Sequence, residues 1–136
     1  MAARQKQTFD ERVAEYVDSP LVAQRVQYGK QVAARIHGNF GVYRSQAAKA
    51  KKISGDCTCP SEIWPCKHIH ALRATWAENP ESFFDLGEWL KGLSQQPKAQ
   101  LIAMISTMVT QSPELLGLFG IPGFEDEQED DEDFYE

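Results

Sequence analysis

The sequence has few cysteines and no long apolar run. Its 136 residues include only three cysteines, all between positions 57 and 66. An odd number of cysteines cannot be fully paired in disulfides, so a reducing compartment and metal binding by the thiols are favoured. No apolar stretch approaches the roughly 18 to 20 residues that cross a bilayer, and the polar first residues do not form a signal peptide. We therefore expect a cytoplasmic protein, or a nuclear one in a eukaryote, with no membrane partner.

Recognisable catalytic patterns are also missing. The sequence contains no glycine-rich phosphate loop, no HExxH motif and no Ser-His-Asp or paired-carboxylate pattern. A Cys/His nucleophile pair is disfavoured because all three cysteines are better used as metal ligands. These absences predict a protein that is not an enzyme and has no small-molecule substrate.

Acidic and basic residues are separated along the chain. The net charge is −6, yet residues 1–77 carry 12 Lys and Arg against 6 Asp and Glu, whereas residues 78–136 carry 2 against 14. Nine of the last twelve residues, 125–136, are acidic, and such a segment cannot bury enough apolar surface to order itself. The basic part suits an anionic partner. The acidic tail is expected mainly to confer solubility, although it could also compete with nucleic acid for the basic part.

The spacing of apolar residues predicts an α+β fold. Ser19-Pro20 is typical of a helix start, Val22 and Val26 have helical spacing, and Gly29 is a plausible helix end. Alternation from Lys30 onward is typical of a half-buried strand. In chain order, the predicted elements are helices over 10–17 and 19–29, strands beginning at Lys30 and Val42 and spanning about 51–58, and helices over 66–77 and from Pro80, Pro97 and Pro113.

These elements predict four segments. The predicted segments are an N-terminal helical segment over 1–29, a small antiparallel β-meander with a metal-bound strand-turn-helix over 30–78, a helical segment over 79–121 that packs on it, and an acidic disordered tail over 122–136.

The three cysteines and a nearby histidine have metal-ligand spacing. Cys57 and Cys59 are two positions apart in a predicted strand, so both side chains project from one face. Cys66 and His68 follow at the start of the next predicted helix. Three thiolates and one imidazole fill the tetrahedral shell of zinc without leaving a position for water, which is typical of a structural site. Spacing alone also permits His70 as the fourth ligand, because it shares a helix face with Cys66.

The residues that flank these ligands form a longer pattern. The chain reads Cys57-Thr58-Cys59-Pro60 and then, after a gap, Pro65-Cys66-Lys67-His68-Ile69 and Ala71-Leu72. This pattern resembles the SWIM zinc finger, whose motif is Cys-x-Cys, a variable gap and Cys-x-His. The resemblance covers about Val26 to Trp76 and, more loosely, the segment from Leu101 to Leu118. It implies one structural Zn²⁺ held by Cys57, Cys59, Cys66 and His68, and a partner that is DNA or a protein.

An iron–sulfur cluster is the rival cofactor. Three cysteines and one histidine also hold the [2Fe–2S] centre of CDGSH-type proteins, and Cys66 and His70 have the terminal spacing of that family. The gap between Cys59 and Cys66 is too short for that pattern, and Lys67-His68-Ile69 stands where that family has Asp-Gly-Ser. Zinc is therefore preferred.

Basic and aromatic residues around the metal motif predict a binding surface. Basic side chains that meet phosphates release counterions and bind nucleic acid without sequence preference. Phe40, Tyr43 and Trp64 could stack on bases if they are exposed. We expect a non-catalytic module that binds nucleic acid, DNA in particular, or alternatively a protein–protein interaction adaptor that uses the apolar residues after Pro80. The predicted nucleic-acid-binding residues are Arg25, Lys30, Arg35, Arg44, Lys49, Lys51, Lys52, Lys67 and Arg73.

Overall fold

The structure, a computed structural model, describes residues 7–124 and has the predicted α+β class. The acidic segment 125–136 lies outside the described residues. In chain order the elements are α1 (Phe9–Tyr16), β1 (Val22–Tyr28), β2 (Gln31–His37), β3 (Val42–Ala48), β4 (Gly55–Cys57), α2 (Lys67–Glu78), a 3-10 helix (Pro80–Ser82), β5 (Phe84–Asp85), α3 (Leu86–Leu93), α4 (Lys98–Gln111) and a second 3-10 helix (Pro113–Phe119).

The chain divides into two units after Lys91. The first unit contains the sheet, α1 and α2, and the second contains α4 and the second 3-10 helix. Between residues 7 and 124 no single helix has the length and apolarity needed to cross a bilayer; α4 and the 3-10 helix after it pass that test only together, with a bend of 119° between them.

A five-stranded sheet organises the first unit. Its strand order is β4-β3-β2-β1-β5; the first four strands form an antiparallel meander, and β5 pairs with β1 in parallel. The meander over β2, β3 and β4 is as predicted. Helix α2 packs on one face of the sheet, and α1 packs on α2. The opposite face, on which Arg35, His37, Val42 and Arg44 are exposed, is called the open face below.

The core lies between the sheet and α2. Ile36 of β2 and Ile69 and Leu72 of α2 have no exposed surface, and each contributes about 2 to 3 kcal/mol by burial. The buried Thr75 hydroxyl donates a hydrogen bond to the Ala71 carbonyl (2.7 Å) and accepts one from the backbone amide of Asp18 (3.0 Å), just after α1. Helix α2 also contacts β4, the last strand of the meander.

The second predicted helix, 19–29, is wrong, because this segment contains strand β1. Val22 is buried opposite Ile36, as its apolar character requires. Gln24 has a positive φ of 52°, and the register shifts by one residue before Val26, which pairs with Ala33. This bulge turns Val26 to the open face. Two valines four positions apart thus lie on opposite faces of a bulged strand, although their spacing is that of one helix face.

Other predicted elements differ in extent. The third predicted strand, 51–58, is reduced to β4 over three residues. The helix predicted from Pro80 is divided into a 3-10 helix, the short strand β5 and α3. The helix predicted from Pro113 is a 3-10 helix. The predicted helices 10–17, 66–77 and the one from Pro97 are confirmed as α1, α2 and α4.

Candidate metal centre

The structure brings together the four residues that the sequence indicates as metal ligands. Cys57 ends β4, and Cys59 follows it in the loop; both are half-buried. Cys66, immediately before α2, has no exposed surface, and His68 in the first turn of α2 is 3% exposed. One ligand atom from each residue lies within 4.8 Å of the others. The four side chains therefore form a possible site for a single metal ion.

The distances between the donor atoms would fit a tetrahedral ion if the four side chains moved slightly closer together. The Nδ1 atom of His68 lies 3.7 Å from the Cys57 Sγ and 4.0 Å from the Cys66 Sγ. A tetrahedral zinc with bonds of about 2.0 to 2.3 Å separates its donor atoms by about 3.3 to 3.8 Å. Since the largest donor separation is within 4.8 Å, movements of about 1 Å complete the shell. Four protein donors would leave no position for a reacting water.

Strand pairing positions the first two sulfurs. Cys57 is the cross-strand partner of Ser45, a buried residue of β3. Thr58 is anchored twice to Arg44, because its amide donates to the Arg44 carbonyl (3.1 Å) and its hydroxyl accepts from the Arg44 amide (3.0 Å). Alternation then places Cys57 and Cys59 on the same side of the chain, as predicted.

His68, and not His70, belongs to the cluster. The imidazole of His68 lies between the rings of Tyr16 and Tyr43, whose centroids are 5.2 Å and 5.1 Å away. Its Nε2 is buried and has no hydrogen-bond partner among residues 7–124. A metal on Nδ1 would leave the imidazole proton on this nitrogen. His70 instead packs edge-on against Phe9, with centroids 5.2 Å apart. The histidine choice that spacing leaves open thus resolves to His68 in this geometry.

Three residues around His68 were not indicated by sequence as part of the site. Tyr16 comes from α1. Tyr43, which the sequence indicates only as a stacking residue, is half-buried against His68. Gly38 allows this packing, because a Cβ there would lie 2.5 Å from the Tyr43 ring and 3.4 Å from the His68 Nε2. The helical spacing of Tyr16 signals only that it is buried.

The sulfurs of Cys57 and Cys66 shift each other's pKa in opposite directions. The hydrogen bond from the Cys66 thiol, supported by His68, lowers the pKa of Cys57 to about 3. The adjacent Cys57 sulfur and burial raise the pKa of Cys66. The protonated form of Cys66 is thus favoured, and a metal ion would have to displace that proton. Metal affinity should consequently fall as the pH is lowered, because protons and the metal compete for the same sulfurs.

Three of the nine predicted nucleic-acid-binding residues lie over aromatic rings of the fold. Lys49 and Arg73 are each 5.2 Å from the centroid of the Trp76 ring. Lys67 is 5.7 Å from the centroid of the Tyr16 ring. Their charges remain half-exposed, but their aliphatic parts contribute to packing.

Five of the nine are exposed. Arg35 and Arg44 are direct cross-strand partners on the open face. Lys30 lies in the β1–β2 turn, and Lys51 and Lys52 lie in the β3–β4 loop at the same end of the sheet. Among residues 7–124 none of these five forms an ion pair. Their charges are therefore available to an anion.

Arg25 is a structural residue in this fold. Its guanidinium donates to the Val22 and Ser19 carbonyls (2.8 and 2.9 Å), to the Asp18 carboxylate (2.8 Å) and to the Ser82 hydroxyl (2.8 Å). Only 12% of the side chain is exposed. The hydrogen bond from Arg25 also lowers the pKa of Asp18. Arg25 thus joins β1 to the turn before it and to the first 3-10 helix, and it is not available to a partner.

Replacing Arg25 with alanine is expected to reduce the free energy of unfolding by about 2 to 4 kcal/mol. The change removes the hydrogen bonds of the guanidinium to the Val22 and Ser19 carbonyls, to Asp18 and to Ser82. Urea unfolding followed by circular dichroism measures the loss. Arg35→Ala is the matched control, and its effect should stay within about 0.5 kcal/mol because this side chain is exposed. Equal stability of the two variants would contradict the structural role of Arg25.

Comparisons with models of protein families, with curated proteins and with solved structures found no match to this chain.

Proposed function

We propose that this protein is a zinc-stabilised, non-catalytic module that binds nucleic acid, with DNA as the expected polymer. The observation that carries the nucleic-acid part is the pair of Arg35 and Arg44, which face each other across two strands of the open face. The zinc part rests on the Cys57, Cys59, Cys66 and His68 cluster.

The donor set supports zinc. Zinc is borderline-soft, prefers thiolate and imidazole ligands, and is four-coordinate in structural sites. The mutual spacing of at most 4.8 Å suits one ion, because the ligands of a two-iron cluster are divided between two metals. Four protein donors also favour a structural role over catalysis.

The local topology supports the resemblance to the SWIM zinc finger. The Cys-x-Cys pair lies at the end of β4 of the meander, and the Cys-x-His pair lies at the start of α2. A metal bound there would join the last strand of the meander to the helix that covers the sheet. We therefore retain a SWIM-type finger as the proposed family.

The arginine pair on the open face supports an anionic partner. Like charges directly opposite each other on neighbouring strands destabilise a sheet by a few tenths of a kcal/mol. Within residues 7–124 no carboxylate forms an ion pair with Arg35 or Arg44. A phosphate between the two guanidinium groups would remove the repulsion and form charge-assisted hydrogen bonds.

A polymer of phosphates fits better than a single anion. Lys30, in the β1–β2 turn, is five positions before Arg35 of β2, or about 17 Å in an extended chain. Successive phosphates of one nucleic-acid strand advance by about 3.4 Å, so one strand can reach both residues. The exposed Lys51 and Lys52 add charge at the same end. Contacts of this kind bind without base preference.

The test is the salt dependence of DNA binding. For a labelled duplex, the logarithm of the association constant should fall linearly with the logarithm of salt concentration. The double variant Arg35→Gln/Arg44→Gln should flatten this slope by about 1.8, as expected for two lost phosphate contacts. Lys91→Gln/Lys98→Gln removes the same amount of charge at residues of α3 and α4, outside the proposed contact set, and should leave the slope unchanged. No binding at low salt, or equal slopes for both double variants, would contradict the proposal.

A protein–protein adaptor is the second candidate, and the second unit favours it. At least half of the surface of several large apolar side chains is exposed there: Ile102, Ile105, Met108, Leu118 and Phe119. Surfaces of this kind are typical of protein contacts. Self-association in sedimentation experiments, lost on Ile105→Lys, together with absent DNA binding, would favour this function.

A further inference from the structure

A pocket of about 210 Å³ lies beside the metal centre. It is formed by α1, the β2–β3 turn, the loop between Cys59 and Cys66, and the start of α2. Three aromatic rings line it, from Phe9, Phe40 and Tyr43, together with the cations of Arg12 and Lys67. His68 also contributes to its wall, so the metal centre and the pocket share residues.

The lining predicts the chemistry of the ligand. No Asp or Glu is among the residues that line the pocket, so aromatic faces and positive charge are its main features. Such walls suit a flat ring attached to an anionic group. The volume is smaller than the roughly 300 to 1,000 Å³ of pockets for drug-sized ligands, so it admits one ring system and not a larger molecule.

Phe40 is the most exposed of these rings. It lies in the β2–β3 turn at the rim of the pocket and is 90% exposed. A single exposed apolar residue is ordinary by itself. Here it stands beside a cationic pocket, where its face can stack on a ring that enters.

We propose that this pocket takes one unpaired base of a single-stranded nucleic acid, with the flanking phosphates on Arg12 and Lys67. The inference rests on the proposed nucleic-acid function and adds a preference for single strands. A base in a duplex is paired and stacked, so its entry would require flipping at a cost of a few kcal/mol. A single strand avoids that cost.

The arginine pair and the pocket are close enough for one strand to contact both. His37 and Val42 are the paired residues that flank the β2–β3 turn. The pair of Arg35 and Arg44 lies two positions farther from the turn on each strand. At about 3.4 Å per residue this separation is about 7 Å. A strand held by Arg35 and Arg44 on the open face can therefore pass the turn and present a base beside Phe40 within a few nucleotides.

Three labelled probes with the same number of phosphates test the inference on the full chain: a single strand, a hairpin duplex and an abasic single strand. The wild-type protein should bind the single strand about five- to 100-fold more tightly than the abasic strand, which is the effect of one stacked base. Phe40→Ala should bring that ratio close to one. Phe119→Ala, at an exposed phenylalanine of the second unit, should keep the wild-type ratio.

A direct readout accompanies the affinities. A 2-aminopurine base in the single strand should lose fluorescence on binding to the wild type and not to Phe40→Ala, because stacking quenches it. Equal affinities for base-containing and abasic strands would overturn the pocket assignment while the proposed function stands. Binding of no probe would overturn the proposed function, and the inference with it. A peptide of residues 125–136 that binds through Phe40, while no base discrimination is seen, would make the pocket a peptide site and overturn the assignment.

Discussion

Replacing Cys66 with serine is expected to abolish metal binding and to unfold the junction between β4 and α2. Cys66 has no exposed surface and belongs to the metal cluster. Structural zinc contributes on the order of 10 kcal/mol, whereas the net stability of a domain is about 5 to 15 kcal/mol. A buried serine hydroxyl without a partner would destabilise the site further. The measured zinc content should fall from one ion per chain to none, and circular dichroism should show a loss of helix.

A pair of histidine variants controls for general destabilisation. His68→Ala should also lose the zinc, because its Nδ1 faces the sulfurs. His70→Ala removes only the contact with Phe9 and should retain one zinc per chain. Zinc retained by Cys66→Ser would contradict the proposed metal centre. If His70→Ala lost the zinc and His68→Ala kept it, the fourth ligand would be His70 and not His68.

The candidate metal ligands could be predicted from the sequence because they are local. All four lie within residues 57–68, and the parity of a strand and the start of a helix suffice to place them. Their surroundings could not be predicted in the same way. Tyr16 and Tyr43 contact His68 from distant parts of the chain. The spacing of residues in the sequence does not predict such long-range contacts.

Two arginines show what strand alternation can and cannot predict about the placement of a side chain. Arg35 has the opposite parity to the buried residues of β2, so its place on the open face follows from alternation. Arg25 precedes Val26 at the register shift of β1, and its side chain turns inward to carbonyls and a carboxylate. A bulge of one residue is invisible to a periodicity of two, and the spacing of Val22 and Val26 across it is that of a helix. Strand β5 has only two residues, too few for any alternation.

The metal centre and the proposed nucleic-acid surface share one structural element. Strand β3 carries Arg44 on the open face and Tyr43 against His68 on the other. The backbone of Arg44 is also the anchor for Thr58, between the two cysteines. A metal that holds β4 and α2 together would therefore stabilise the strand that presents the proposed phosphate contacts. Removal of the metal should weaken DNA binding although no ligand of the metal contacts a phosphate on the open face.

Replacing Gly55 with alanine is expected to displace β4 and to weaken zinc binding without touching a ligand. A Cβ at Gly55 would overlap the Gln46 carbonyl oxygen and lie 2.9 Å from the Ala47 Cα, both backbone atoms of β3. Backbone in a paired strand cannot move aside as a flexible side chain does, so β4 has to shift. Gly55 precedes Cys57 by two positions on this strand, and the shift therefore moves a sulfur. A displaced sulfur would have to move farther to reach the roughly 2.3 Å of a zinc–sulfur bond, which should weaken zinc binding.

The expected loss is at least about 3 kcal/mol in the free energy of unfolding, together with at least a tenfold lower zinc affinity, equivalent to about 1.4 kcal/mol. Urea unfolding and competition with a chelating dye measure the two quantities on the same preparation. Gly92→Ala is the matched control, because Gly92 lies in α3 with nothing within 4 Å of a new Cβ. It should stabilise the chain by up to about 1 kcal/mol through helix propensity. Wild-type zinc affinity in Gly55→Ala would mean that the pairing of β4 with β3 does not position Cys57.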